Sequence, residues 1–308
     1  MGKPGRNSID KLKACAVWGL VISFTVLCCL WIGGWFSSVD QFGPAMKVMS
    51  FNIRYGTAED GDNHWDLRRE LVRETIRVFD PDLLGLQEAL KFQGEHLQQQ
   101  FPEYQFVGRG RDEEPDQGEF SPVMFRRDRF ELIDSGHFWL SENPDEPGSQ
   151  GWDAALPRMV TWVRLRDRAH SGAELVFANT HFDHKGSDAR AGAAQLIRHR
   201  LIDNDATPLI LAGDFNTACE SAPWQSLIGD AENGQRTLID SYRVIFPTAG
   251  NEGTSNHWIA KRDGPRIDWI LHSQEFVTVN AGINYHNLRG RYPSDHYPVQ
   301  AVLRLLKE

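Results

Sequence analysis

The sequence has few cysteines, and their positions exclude a disulfide framework in most of the chain. Cys15, Cys28 and Cys29 lie in an apolar N-terminal stretch, which leaves only Cys219 in the remaining sequence. Long basic runs are also missing, because no Lys/Arg run exceeds two residues and the formal net charge is −9. A protein that binds nucleic acid through a broad surface usually presents a basic face. We therefore expect ligand recognition to be local, within a cleft.

Residues 14–36 form an apolar stretch without a formal charge, which meets the roughly 20 residues needed to span a bilayer. Basic residues precede this stretch and Asp40 follows it, so the positive-inside rule places the N-terminus in the cytoplasm. The sequence thus predicts a short basic cytoplasmic tail (1–13), a transmembrane signal-anchor (14–36), a linker (37–45) and a folded domain (46–308). A cleaved signal peptide is the alternative, and it would release the domain as a secreted protein.

The domain shows an α/β pattern of apolar runs separated by polar turns. Asp66 is expected to cap a helix that ends before Pro81, and a second helix is expected over residues 190–201. Three alternating segments (105–109, 121–126 and 130–134) predict an antiparallel meander. The remaining predicted strands cover residues 47–53, 83–88, 159–166, 174–181, 209–212, 267–272 and 300–305. No internal repeat or low-complexity tract interrupts this order.

Carboxylate, amide and imidazole side chains recur where these strands are predicted to end. Gly213-Asp214-Phe215-Asn216 directly follows an apolar strand, and Ser294-Asp295-His296 lies near the C-terminus. Similar sets are Ser50-Phe51-Asn52, Leu86-Gln87-Glu88, Asn179-Thr180-His181 and Arg266-Ile267-Asp268. Because strand ends converge on one crevice in α/β sheets, we expect these side chains to meet. Carboxylates, amides and imidazoles together indicate a divalent-metal phosphoesterase.

In this order the motifs resemble the endonuclease/exonuclease/phosphatase superfamily, over roughly residues 46 to 305. The resemblance implies the DNase I-like fold, a four-layer α-β-β-α sandwich of two mixed β-sheets, here preceded by one N-terminal transmembrane helix. Residues 136–144 and 151–158 are similar to a bacterial branch that loosely resembles the Ccr4/nocturnin group. That group implies exonucleolytic activity.

Glu88 is the expected principal metal carboxylate, with Asn52 and Asp295 beside it. Mg²⁺ prefers such oxygen ligands, and Mn²⁺ is a possible substitute. The run Thr180-His181-Phe182-Asp183-His184 could suggest zinc, but the other expected ligands are oxygens, which favours Mg²⁺.

The resemblance implies a catalytic role for each of five residues. The residue matching Asp214 orients or deprotonates the attacking water, while those matching Asn216 and His181 contact the phosphoryl group. Asp268 and His296 resemble a carboxylate–imidazole pair, in which a cationic His296 would bind the phosphate and a neutral one would act as a base. Arg126 and Arg158 are further candidates to bind the substrate phosphate, although each could equally be an ordinary turn arginine.

The expected function is Mg²⁺-dependent hydrolysis of phosphodiesters, first of a nuclease type resembling a 3′–5′ exonuclease. A phospholipid or sphingolipid headgroup phosphodiesterase or phosphatase is the second enzyme candidate. An inactive ligand-binding module on the same fold is the candidate from another class. The expected partners are a nucleic acid or lipid headgroup and, through the N-terminal helix, a membrane; no protein partner is evident. The domain is expected to be membrane-anchored outside the cytoplasm.

Overall fold

A computed structural model describes residues 1, 42–248 and 250–307, of which Pro44–Leu305 form one compact unit. The membrane segment predicted at residues 14–36 lies outside the described residues. Within the described part of the chain, no helix is both long enough and apolar enough to cross a bilayer.

The described residues contain twelve strands and five α-helices. The strands are β1 (Met46–Asn52), β2 (Leu83–Gln87), β3 (Tyr104–Val107), β4 (Val123–Arg126), β5 (Phe130–Trp139), β6 (Met159–Asp167), β7 (Ala173–His181), β8 (Leu209–Asp214), β9 (Leu238–Asp240), β10 (Asp268–Ser273), β11 (Phe276–Ile283) and β12 (Val299–Leu305). The helices are α1 (Trp65–Phe79), α2 (Lys91–Gln100), α3 (Ser187–Ile197), α4 (Ala222–Ile228) and α5 (Ser241–Ile245). A π-helical turn (Arg198–Asp203) continues α3, and a 3₁₀ turn (Gly61–Asn63) precedes α1.

The strands form two mixed six-stranded sheets. The first sheet has the order β11-β12-β1-β2-β4-β3 and the second β5-β6-β7-β8-β10-β9. Strands β1 and β2 are parallel in the first sheet, as are β7 and β8 in the second, and the other pairs are antiparallel. The β6–β7 pair confirms the hairpin expected from the two apolar runs around residue 170.

The two sheets pack face to face, and helices cover their outer faces. Val48 of β1 points into the core between the sheets with Phe177 and Ile210, whereas the next residue, Met49, packs under α1 and α2. This alternation is the two-residue period of a strand with both faces buried. On the other side, α3 and α4 cover the second sheet through Ala194 and other apolar side chains. The α-β-β-α layering implied by the family resemblance is therefore confirmed for the domain.

Two local predictions were wrong. Residues 130–134 do not continue a meander from β3 and β4, because β5 lies at the edge of the second sheet. The cap of α1 is His64 rather than Asp66, since the His64 ring accepts a 3.4 Å hydrogen bond from the Asp66 backbone amide. The helix ends at Phe79, as expected before Pro81, and its C-cap Asp80 has a left-handed φ of 52°.

A fully buried asparagine, Asn179 of β7, ties the two sheets together. Its amide nitrogen donates to the carbonyls of Leu86 (2.6 Å) and Pro122 (2.9 Å), and its oxygen accepts from Gln87 (2.6 Å). Gly85 leaves the space for this side chain, because a Cβ at residue 85 would lie 2.6 Å from the Asn179 oxygen. The tie therefore reaches the first sheet one residue before Glu88.

We expect Asn179→Ala to lower the free energy of unfolding by at least about 1–3 kcal/mol, because each buried polar partner that it leaves unpaired costs about that much. Urea unfolding of the purified protein measures this change. Asn280→Ala, at an exposed position of β11, is the matched control and should stay within about 0.5 kcal/mol of wild type. Equal effects of the two substitutions would show that Asn179 is not a structural tie.

Candidate active site

The chemistry-bearing side chains meet at one edge of the sandwich. Asn52 pairs with Gln87 at the ends of parallel β1 and β2, and His181 pairs with Asp214 at the ends of parallel β7 and β8. Asp268 also lies opposite Asp214, but it begins β10, which runs antiparallel to β8. The expectation that every motif follows a strand was therefore wrong for Asp268, and likewise for His296, which precedes β12.

The amide of Asn52 joins acids from the two sheets. Its nitrogen donates 3.0 Å hydrogen bonds to Glu88 Oε1 and to Asp214 Oδ2, which is 162 residues away along the chain. Its oxygen accepts from the backbone amide of Arg54 at 2.9 Å. Asn52 and Asp214 are buried, so these hydrogen bonds form away from water and hold the side chains in one arrangement.

Glu88 and Asp295 flank a guanidinium group that the sequence analysis did not single out. Arg54 Nη1 lies 4.0 Å from Glu88 Oε2, and Arg54 Nε lies 3.7 Å from Asp295 Oδ2. Two 3.0 Å hydrogen bonds to Asp60 fix the Arg54 side chain. Glu88 adopts a left-handed φ of 58°, and its Oε2 accepts from the Tyr55 amide at 3.1 Å. Arg54 follows Asn52 by two residues, and this closeness to a predicted site residue is the signal in the sequence that could have identified it.

The donor set at this edge fits a hard divalent cation. Burial raises the pKa of Asp295, and the negative charge of nearby Glu88 adds to that effect, although His296 and Arg54 oppose it. Carboxylates and amide oxygens are ligands that Mg²⁺ and Mn²⁺ prefer, and here the Asn52 amide presents its nitrogen to Glu88 and its oxygen to the Arg54 backbone amide. Asp214, Asp268 and His296 also bring ligand atoms within 4.8 Å of one another. That second group needs a neutral imidazole to hold a metal, whereas Glu88 and Asp295 would bind one through carboxylate oxygens alone.

Asp268 and His296 form a buried ion pair next to Asp214. His296 Nδ1 lies 2.9 Å from Asp268 Oδ2 and 3.7 Å from Asp214 Oδ2. Burial alone would lower the pKa of His296, but the charges of Asp268 and Asp214 raise it well above its usual value. Burial and the Asp268 charge raise the pKa of Asp214 to about 7. The geometry thus favours a cationic imidazole and a carboxylate that can take up a proton near neutral pH.

His181 approaches the same Asp214 oxygen as His296, with its Nε2 3.6 Å from Oδ2, and is neutral. Burial lowers its pKa well below the usual value, with a further contribution from the Arg158 charge. Asn216 donates its side-chain amide to His181 Nε2 (2.9 Å) and to the Phe182 carbonyl (3.0 Å), so Nε2 accepts and the ring proton resides on Nδ1. The Asn216 backbone amide donates to Asp214 Oδ1 at 3.0 Å.

The structure separates the two arginine candidates. Arg126 ends β4, and because β4 is antiparallel to β2 it lies beside the start of β2, at the opposite end of the sheet from Glu88. Its guanidinium binds Asp80 and Asp128, so the expectation that it clamps phosphate was wrong. Arg158, just before β6, does line the pocket. Asp183 is not placed as a zinc ligand, since its Oδ1 accepts from the Lys185 and Gly186 amides.

The pocket over these residues has a volume of about 590 Å³. Besides the expected side chains, Glu119, His184 and Lys261 line its walls. Glu119 comes from the loop between β3 and β4, and Lys261 from the loop between α5 and β10. Neither residue lies at a strand end, so the strand-end pattern could not reveal them.

Comparison with known proteins agrees with this geometry. Residues 49–296 match the model of the endonuclease/exonuclease/phosphatase family. The chain belongs to this family. Members of the family hydrolyse phosphate esters, generally with a divalent metal, and the protein is accordingly a metal-dependent hydrolase acting on phosphate ester bonds.

The relatives include a mannosyl-6-phosphatase and nocturnin. A family member from Bacteroides thetaiotaomicron is 32% identical, with a TM-score of 0.77, and the match covers 85% of this chain and 98% of that one. A mannosyl-6-phosphatase from the same organism is 33% identical, with a TM-score of 0.75, and the match covers 84% and 99% of the two chains. Nocturnin from Xenopus laevis is 24% identical over 85% of this chain and 71% of its own. These matches bear out the resemblance to the Ccr4/nocturnin group.

We expect Asp268→Ala and His296→Ala to disable one shared function, because the 2.9 Å ion pair makes the two residues act as a unit. Each single substitution should lower kcat by about 10²–10⁴-fold, the usual effect of removing a positioned proton-transfer group. The double variant should be little worse than the more damaged single variant. The measurement is a double-mutant cycle, in which phosphate ester hydrolysis is compared for the wild type, the two single variants and the double variant. If the fold-losses of the single variants multiply in the double variant, the two residues do not cooperate.

Proposed function

We propose that the domain is a Mg²⁺-dependent phosphoesterase. The observation that carries the proposal is the Asn52 amide, which holds Glu88 on one side and Asp214 on the other, each at 3.0 Å. Glu88 belongs to the oxygen set that fits a metal, and Asp214 faces the two histidines. The site therefore offers a cation-binding side and a proton-handling side only one side chain apart, which is what hydrolysis of a phosphate ester requires.

Each residue at the centre has a defined part in this proposal. Glu88, Asn52 and Asp295 would hold the metal ion, which supplies a Lewis acid for the phosphoryl oxygens. Asp214, with its pKa near 7, orients the attacking water and takes up its proton. The cationic His296 binds a phosphoryl oxygen, and Asp268 keeps that imidazole charged. Asn216 holds the neutral His181 against the site.

Small phosphorylated compounds are the substrate class that we favour. The mannosyl-6-phosphatase is 33% identical to this chain and matches it over 99% of its own length, so a phosphate on a sugar-like molecule is a chemical precedent. A pocket of about 590 Å³ suits such a molecule. The net charge of −9 gives a polyanion no general attraction.

A nuclease-type activity on phosphodiesters is the second candidate, which the similarity to nocturnin supports at 24% identity. Hydrolysis of a lipid headgroup is a third candidate, and it depends on the proposal that residues 14–36 anchor the domain to a membrane. Both alternatives use the same central residues, so they differ from the first candidate only in what surrounds the scissile phosphate.

For location, we propose that the protein is anchored by residues 14–36 with the domain outside the cytoplasm, because basic residues precede that stretch and Asp40 follows it. A C-terminal alkaline phosphatase fusion should then be active, and a C-terminal fluorescent protein that folds only in the cytoplasm should be dark. The reverse pattern would refute export. Soluble mature protein that begins near residue 38 would indicate a cleaved signal peptide instead.

The metal role of Glu88 is tested with Glu88→Ala in the full-length protein. Because a catalytic metal contributes several kcal/mol to the transition state, the substitution should lower kcat/KM by about 10²–10³-fold. EDTA should abolish wild-type turnover, and Mg²⁺ or Mn²⁺ should restore it. The substrates are p-nitrophenyl phosphate, mannose 6-phosphate, bis-p-nitrophenyl phosphate and an RNA oligonucleotide.

Glu70→Ala, on the exposed side of α1 with a surface salt bridge to Arg73, is the matched control and should leave activity unchanged. Turnover that survives chelation, or that returns only with zinc, would overturn the metal assignment. Hydrolysis of RNA but not of mannose 6-phosphate would favour the second candidate.

A further inference from the structure

Thr254 is a buried residue that connects the two chain segments carrying Asp268 and His296. It lies in the loop between α5 and β10, and none of its surface is exposed. Its hydroxyl oxygen accepts hydrogen bonds from the backbone amides of Ile267 (3.0 Å) and Asp268 (3.2 Å). Its backbone carbonyl accepts from the amide of Tyr297 at 2.7 Å, one residue after His296. Thr254 therefore contacts both halves of the buried ion pair through their main chains.

The contact with the His296 segment is made by the main chain alone. Ser255 and His296 form an isolated antiparallel bridge, and the Asn256 amide donates to the Asp295 carbonyl at 2.6 Å. A substitution at residue 254 keeps these backbone hydrogen bonds. The contact with Asp268 differs, because it passes through a side-chain hydroxyl that a substitution can remove.

The Thr254 hydroxyl takes the place of a neighbouring strand at the start of β10. On one side of β10, Asp268 pairs with Asp214 of β8, but on the other side β9 reaches only as far as Leu271. The amide of Asp268 therefore donates to Thr254 instead of to a strand. The Asp268 carboxylate has few contacts of its own: Oδ2 lies 2.9 Å from His296 Nδ1, and Oδ1 is buried without a hydrogen-bond partner among the described residues. The direction of this carboxylate thus depends on its backbone.

We propose that Thr254 is a positioning residue that directs the Asp268 carboxylate toward His296 by fixing the backbone amide of Asp268. The proposal rests on the proposed phosphoesterase function, in which His296 binds the phosphoryl group. Because Thr254 is fully buried, it acts through Asp268 and not on the substrate. A displacement of about 1 Å in a positioned group can cost about 10²-fold in rate. The hydroxyl should therefore affect turnover much more than substrate binding.

The test compares the full-length wild type with Thr254→Val, which keeps the shape of the side chain and removes the acceptor, and with Thr254→Ser, which keeps the acceptor. With p-nitrophenyl phosphate in saturating Mg²⁺, Thr254→Val should lower kcat by about 10–100-fold and change KM by less than about threefold. Thr254→Ser should stay within about threefold of wild type in kcat.

Thr278→Val is the matched control and should leave kcat unchanged. It also removes a buried threonine hydroxyl, which lies 2.7 Å from His272 Nε2. Thr278 belongs to β11 and pairs with Leu303 of β12, so its loss does not touch the active site.

A double variant shows whether Thr254 acts through Asp268. In the Asp268→Ala background, Thr254→Val should lower kcat by less than about threefold, because the group that the hydroxyl positions is already gone. The assay uses enough enzyme for the turnover of Asp268→Ala to exceed the blank. If Thr254→Val keeps its full effect in that background, or if Thr254→Ser loses as much activity as Thr254→Val, the inference is wrong while the proposed function stands.

Proton NMR gives a readout that needs neither metal nor turnover. The proton on His296 Nδ1, held by Asp268, should give a low-field signal that exchanges slowly with water and is assigned by its loss in His296→Ala. We expect Thr254→Ser to keep this signal and Thr254→Val to broaden or lose it, with urea unfolding as the check that the variant is folded. If Thr254→Val does not fold, Thr254→Cys replaces it, because sulfur is a weaker acceptor than oxygen.

The NMR signal separates a failure of this inference from a failure of the proposed function. An unchanged signal in the folded valine or cysteine variant would refute the positioning role. A wild type that hydrolyses no phosphate ester, while the signal changes as expected, would refute the phosphoesterase function and leave the structural link between Thr254 and the ion pair in place.

Discussion

The site depends on a single buried carboxamide that reaches from one sheet to the other. Asn52 ends the central parallel pair of the first sheet, and Asp214 ends that of the second, so their 3.0 Å hydrogen bond exists only while the two sheets keep their spacing. The apolar core between the sheets sets that spacing. Asn179 also holds the sheets together through its buried hydrogen bonds to Leu86, Pro122 and Gln87. Asn52 also binds Glu88. Any shift of one sheet relative to the other would therefore change the distance between Glu88 and Asp214.

The charges around the active site give His296, His181 and Asp214 different protonation states. The same burial acts on all of them, but the neighbours differ: two acids surround His296 and raise its pKa, whereas Arg158 lowers that of His181. Both rings approach Asp214 Oδ2, and the pKa of Asp214 near 7 reflects burial together with the Asp268 charge. The arrangement therefore holds one cationic imidazole, one neutral imidazole and one carboxylate that exchanges a proton most easily.

The sequence predicted the strands and the location of the site through local patterns, and the resemblance of its motifs to a family implied the four layers. Apolar runs that lead to Asn52, Glu88, His181 and Asp214 identify four of the strands that reach the site. Strand direction was not predictable, since an antiparallel strand brings its first residue to the same edge. This is why Asp268 lies at a strand start and why Arg126 lies at the wrong end of its sheet. Loop residues such as Glu119 and Lys261 carry no periodic pattern. The catalytic and metal roles themselves remain predictions.

The direction of β1 has a consequence for how the domain can be attached to other bodies. The strand enters the domain at Met46 and ends at Asn52, and at about 3.3 Å per residue these ends are roughly 20 Å apart. Met46 therefore lies at the base of the sandwich, while Asn52 lies at the rim where the residues of the active site meet. A bead or a carrier coupled to a surface side chain near that base would leave the mouth of the pocket open to molecules arriving from solution.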